Sequence, residues 1–221
     1  YNATQIAEAV EKLALKKEEF LILIGHSKGA VDILHFLVNF PELARRIDAV
    51  VSIAGAINGS PLSNRIAGIY NKLGANLPVN ECEPGDGGAL RSLNRSVRLT
   101  WMANNPLPPS VKYYSLVSFT YRDRINRWLI SGYDMLKTID PRNDGLLLFS
   151  DQVIPGAILL GYVNDDHWEV ALPFEDNDSM ISKWISKQNS YPREILLHAV
   201  ILFVTENLNS WESSNYGRDG E

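Results

Sequence analysis

Three features of the sequence predict an α/β fold with a mostly parallel sheet flanked by helices. Short continuous apolar runs, such as Phe20 to Ile24 and Ala49 to Ala54, read as strands buried on both faces. Segments with helical spacing separate them, and strand, helix, strand joined by right-handed crossovers is the doubly wound plan. The third is a Gly-x-Ser-x-Gly pattern, Gly25 to Gly29, set between the first strand and the helix after it.

The elements follow in order. Asn2-Ala3-Thr4-Gln5 is a helix-start pattern, and Ile6, Val10 and Leu13 continue it at helical spacing to about Lys17. Phe20 to Ile24 is the first strand, ended by Gly25. Val31, Leu34, Leu37 and Val38 place a helix after Gly29, which Pro41 interrupts. Ala49 to Ala54 is the second strand, Val111 to Val117 the third, and Ala157 to Tyr162 the fourth. Between the second and third lies an insertion, residues 61 to 109, too long for a simple connection and read as a cap or lid. Its helix, starting at Pro61, carries Leu62, Ile66, Ile69 and Leu73 as one apolar stripe. The last helix runs from Pro192 to about Leu208, with Ile195, Ala199, Leu202 and Phe203 as its apolar positions, and a polar tail follows from Ser210. No repeat or linker divides the chain, so residues 1 to 221 read as one domain with the insertion inside it.

Composition narrows the function. The 221 residues are 45% hydrophobic with a formal net charge of -5, which gives no electrostatic reason to bind nucleic acid or anionic membrane. No apolar run reaches the roughly 20 residues that span a bilayer. Cys82 is the single cysteine, so an internal disulfide and a Cys-x-x-Cys metal or redox pair are both absent. No cofactor is expected, and the compartment is not legible from the sequence.

The chemistry concentrates at Ser27. A glycine on either side permits a sharp strand-to-helix turn that leaves the serine oxygen exposed at the carboxyl end of the sheet. The helix start then offers partial positive charge, and the Lys28 N–H, to a developing oxyanion. A serine nucleophile needs a base, and four histidines are present. His26 sits inside the turn and cannot reach back to the hydroxyl. His35 reads as packed or surface-facing, and His198 as a core or interface residue of the last helix. His167 stands in a polar loop after the last strand, and the order nucleophile, acid, histidine is the one a serine turn on such a sheet uses. The acid then lies among Asp140, Asp144 and Asp151. Asp144 is favoured because Gly145 permits the turn that aims its carboxylate inward.

On these residues the chain resembles the α/β-hydrolase superfamily, and within it the bacterial triacylglycerol lipases. They carry G-H-S-x-G, an N-D-G acid loop, and a histidine about 20 residues later; here Asp144 and His167 are 23 apart. Ile53 to Pro61 resembles the strand and Gly-Ser loop that leads into the lid of such lipases, and Tyr113-Tyr114-Ser115 the strand before the acid. The resemblance spans about residues 3 to 205. It implies a Ser27, Asp144, His167 triad that cleaves carboxylic esters of a small-molecule or lipid substrate through an acyl-enzyme. The same triad serves thioesterases and acyltransferases, and a hydrolase-like binding scaffold is the reading from another class.

Two departures qualify what carries over. The family's second oxyanion donor comes from a loop after an earlier strand, and no such loop precedes this elbow; the early strands are expected from an amino-terminal segment or a second chain. Some of these lipases also hold calcium beside the histidine loop. Here Asp165 and Glu169 read as a solvated acidic loop, and no metal is expected.

Overall fold

A computed structural model describes residues 2–16, 19–63, 92–171 and 192–216. Its sheet has four strands: β1 (Ile22–His26), β2 (Ala49–Ile53), β3 (Lys112–Ser118) and β4 (Ile158–Val163). They lie side by side in chain order, and every pair is parallel, with Ile22 opposite Ala49 and Ala49 opposite Lys112. The helices are α1 (Asn2–Lys12), α2 (Lys28–Asn39), α3 (Pro41–Ala44), α4 (Arg95–Asn104), α5 (Ile130–Leu136) and α6 (Arg193–Tyr216).

Strand side chains alternate between the two faces of a sheet, so an unbroken apolar strand needs cover on both. Val50 points to the face covered by α1, α2 and α4, where Ala7, Val10, Leu34, Leu37, Trp101 and Met102 pack together. Ala49, Val51, Ile53, Tyr114 and Leu116 point to the other face, against Val200, Val204 and Leu208 of α6. The Tyr114 hydroxyl also donates to Asn207 Oδ1 at 2.7 Å. A third cluster joins Val31 of α2 to Leu129, Tyr133 and Leu136 and to Leu146, Leu147 and Leu148 in the acid loop.

Several sequence expectations are corrected. The ladder of β1 begins at Ile22 rather than Phe20, and it continues past Gly25 to His26. That strand is not buried on both faces: it is an edge of the sheet among the described residues, and Ile24 is 38% exposed. Helix α1 stops at Lys12 rather than near Lys17, where Arg46 donates to the carbonyls of Val10, Glu11 and Leu13 and so satisfies the helix end. The buried stripe of α6 is Val200, Val204 and Leu208, while Ile195, Leu202 and Phe203 lie exposed. That helix is apolar on several sides, so its sequence alone does not phase it. It also continues through Tyr216, where a frayed tail was expected.

In the insertion, Leu62 is buried in the third cluster, whereas Ile66, Ile69 and Leu73, with Cys82, lie outside the described residues. Helix α4, which no sequence signal marked, is part of the core. Its Arg98 is buried, donating Nε to the Ile57 carbonyl at 3.0 Å and Nη1 to His35 Nε2 at 2.8 Å, with its guanidinium over Trp101. Burial lowers the Arg98 pKa to about 10. Arg98 thus pins the loop after β2 to α2. Replacing it by Met should lower stability by about 1–3 kcal/mol, because the Ile57 carbonyl loses its donor; an unchanged midpoint in urea unfolding would contradict that role.

Candidate active site

Strand β1 runs directly into Ser27, and α2 begins at the next residue. Ser27 takes φ 53° and ψ -122°, a conformation that L residues rarely adopt and that persists only where the surroundings over-determine it. Here its N–H donates to the Ile53 carbonyl at 3.2 Å and its carbonyl accepts the Ala56 N–H at 3.1 Å, so β2 and its loop hold both sides of the turn. Gly25 is required by contact: a Cβ there would lie 2.6 Å from the backbone of Ala30. Gly29 differs from the sequence expectation, since a Cβ on it would meet nothing within 4 Å among the described residues.

His167 Nε2 lies 2.7 Å from Ser27 Oγ, and His167 Nδ1 lies 2.7 Å from Asp144 Oδ2. A carboxylate only accepts, so Nδ1 carries the proton and Nε2 is left to accept from the serine hydroxyl. His167 is 2% exposed and Asp144 is fully buried. Gly145, at φ 94°, makes the turn expected after Asp144, whose other oxygen accepts the N–H groups of Leu146 and Leu147 at 2.9 and 2.7 Å. A main-chain bond from His167 N to Asp144 O, at 3.0 Å, ties the two loops together.

The other acid candidates are engaged elsewhere. Asp140 pairs with Arg142 at 2.8 Å, and that hydrogen bond lowers its pKa. Asp151 is buried against Arg95, with its pKa raised by burial. His35 stacks on Trp101, and His198 is exposed rather than in the core. The Lys28 N–H stands in the first turn of α2, whose N–H groups have no intrahelical acceptor, while its ammonium pairs with Asp32.

Three neighbours of this site carried no sequence signal for the place they hold. His26 Nε2 donates to the His167 carbonyl at 2.8 Å, with the two rings 5.0 Å apart. Asp166 accepts the N–H groups of Asn126, Trp168 and Glu169 at 2.8 to 3.0 Å and so folds the histidine loop; burial raises its pKa. Gln152 is buried against Asp144. The expected solvated acidic loop is not found: Asp165 and Glu169 are 0% and 3% exposed, because this loop packs between β3 and the site. No group of three or more His, Cys, Asp or Glu side chains is placed to hold a metal among the described residues.

A parallel sheet with a serine turn at its carboxyl end and helices on both faces is an α/β-hydrolase fold, of the lipase- and esterase-like kind. The chain is similar to the metagenomic carboxyl esterase MGS0156, with 45% identity over 93% of this chain and a TM-score of 0.83. It spans 61% of that esterase's length. It also shares the fold of the Bacillus licheniformis lipase BlEst2 in its mature form, at 20% identity, a TM-score of 0.60, and coverage of 75% of this chain and 66% of that one. No protein-family model and no curated protein matches the chain.

Burial lowers the pKa of His26 to about 4, so it is neutral in the folded protein, as its hydrogen bond to a carbonyl allows. The unfolded chain binds this proton near pH 6.5 and the folded chain near 4, so stability falls as pH drops between those values. His26→Gln should flatten this slope, which His26 steepens by up to about 3 kcal/mol. Urea unfolding at pH 7, 6, 5 and 4.5 measures it, and an identical slope in the variant would contradict the neutral state of His26.

Proposed function

We propose that the protein hydrolyses carboxylic esters through an acyl-enzyme on Ser27. The observation that carries this reading is the unbroken relay of hydrogen bonds, 2.7 Å at each step, from Ser27 Oγ through His167 to Asp144. Ser27 Oγ attacks the ester carbonyl carbon while His167 Nε2 takes its proton. Asp144 fixes the imidazole tautomer and stabilises the imidazolium. The carbonyl oxygen becomes an oxyanion facing the Lys28 N–H at the start of α2. Collapse breaks the ester C–O bond, and His167 returns the proton to the leaving alcohol. Water then repeats the cycle on the acyl-serine and releases the acid.

Thioester cleavage and acyl transfer would use the same groups with a different leaving group or acceptor. Adding a primary alcohol and measuring ester against acid product separates transfer from hydrolysis. A binding scaffold is favoured by one observation: among the described residues β1 is left with an unpaired edge. In the ester-hydrolase reading a further segment or a second chain pairs with that edge and brings the second oxyanion donor. The insertion at 61 to 109, apart from α4, which packs in the core, is read as a cap over an acyl pocket, with a small-molecule ester or lipid as substrate. No described helix is long and apolar enough to cross a membrane.

Ser27→Ala should reduce hydrolysis of a short p-nitrophenyl ester by about four orders of magnitude or more while leaving the fold intact. Asp144→Asn should cost about 10⁴-fold. Asp140→Asn, which alters an exposed ion pair, should cost less than about threefold. Near wild-type turnover in Ser27→Ala would sink the nucleophile assignment; a larger loss in Asp140→Asn than in Asp144→Asn would overturn that of the acid.

A further inference from the structure

Gln152 sits in the loop between the acid turn and β4, with no solvent exposure. Its amide is held on three sides. Oε1 accepts the Ser118 N–H at 2.7 Å, and Nε2 donates to the Ser118 carbonyl at 2.8 Å, so the side chain pairs with the end of β3 much as another strand would. The second Nε2 hydrogen faces Asp144 Oδ2 at 3.2 Å. This is the same oxygen that accepts from His167 Nδ1. Turning the amide over would place its oxygen against two acceptors and its NH₂ against a donor, so the hydrogen-bond pattern fixes one orientation.

The consequence is both electrostatic and geometric. Asp144 has four donors: two backbone N–H groups on Oδ1, and His167 and Gln152 on Oδ2. With the backbone donors on one oxygen, Gln152 is the group that fixes how the other presents itself to the imidazole. A hydrogen bond to a carboxylate draws charge from it, and so limits how strongly Asp144 favours the protonated imidazole. The amide cannot ionise, so this donor stays in place across the working pH range. Because it is locked to β3, it also ties the acid loop to the sheet.

We infer that Gln152 is a positioning residue for the hydrolytic site, holding Asp144 Oδ2 toward His167 and setting the pH at which the imidazole becomes a working base. This rests on the ester-hydrolase reading of Ser27, His167 and Asp144. Among the described residues, Asp144 and His26 face that imidazole, and the buried carboxylate of Asp166 stands beside it in the chain and interacts with Asp144; His26 stays neutral above about pH 4. None of the three replaces an amide as donor to Asp144, since Asp144 is the acceptor itself, His26 is spent on the His167 carbonyl, and Asp166 accepts from backbone N–H groups.

The test compares Gln152→Met and Gln152→Glu with the wild type, using pH profiles of kcat and KM for a p-nitrophenyl ester, together with urea unfolding. Gln152→Met keeps the volume and removes the donor. It should lower kcat by about ten- to a hundredfold with KM nearly unchanged, and move the acid limb of kcat/KM to higher pH. Gln152→Glu keeps the shape and can donate to Asp144 only while protonated. Its activity relative to wild type should therefore be highest at low pH and fall as pH rises. An acid limb that stays in place in Gln152→Met, together with a pH-independent ratio in Gln152→Glu, would overturn the inference and leave Gln152 a structural clamp on β3. The parent reading fails separately, by wild-type protein that lacks Ser27-dependent turnover. Should Gln152→Met unfold, the Gln152→Glu ratio decides alone.

Discussion

The backbone of Ser27 is the constraint on which the rest of the site depends. At φ 53° and ψ -122° it holds a conformation that costs on the order of 1–3 kcal/mol, and the turn keeps it because each neighbouring element removes an escape. Strand β2 takes the Ser27 N–H, its following loop donates to the Ser27 carbonyl, and α2 lies so close to β1 that only glycine fits at position 25. Arg98, buried under that loop, keeps it against α2. The strain therefore rests on the elements packed around the turn, and it projects the serine hydroxyl beyond the carboxyl ends of the strands.

Opposite the serine, the histidine and acid loops are folded by polar groups that are themselves buried. Asp166 gathers three N–H groups so that His167 is presented to Ser27, while Ser118 at the end of β3 donates to the Asp165 carbonyl. Gln152 takes the main-chain N–H and carbonyl of the same Ser118 and reaches Asp144. One residue at a strand end thus anchors both loops. Buried polar groups without partners would cost several kcal/mol, and this connectivity turns that penalty into definition of geometry.

Much of this was legible in the sequence because it rests on local rules. The four strands were visible as apolar runs, and the serine turn as two glycines between a strand and a helix. The Asn143-Asp144-Gly145 turn was readable because Gly145 needs a positive φ. What was not legible depends on tertiary partners. The exposure of Ile24 follows from β1 being a sheet edge, which no window on its sequence contains. The phase of α6 is not legible in its sequence because apolar residues lie on several of its sides. Asp165 and Glu169 looked solvated because two acidic residues in a polar loop usually are, and their burial comes from packing against distant elements. Gln152 left no trace, since its partners are a strand end 34 residues earlier and a carboxylate 8 residues earlier.

Reaction of the whole protein with a fluorophosphonate probe, followed by peptide mapping of the adduct, tests the ester-hydrolase assignment most directly. A serine whose proton is taken by His167 attacks phosphorus as it would a carbonyl carbon. A single adduct on Ser27, lost in His167→Ala, is the expected result. No adduct on Ser27, or equal labelling of wild type and His167→Ala, would contradict the assignment.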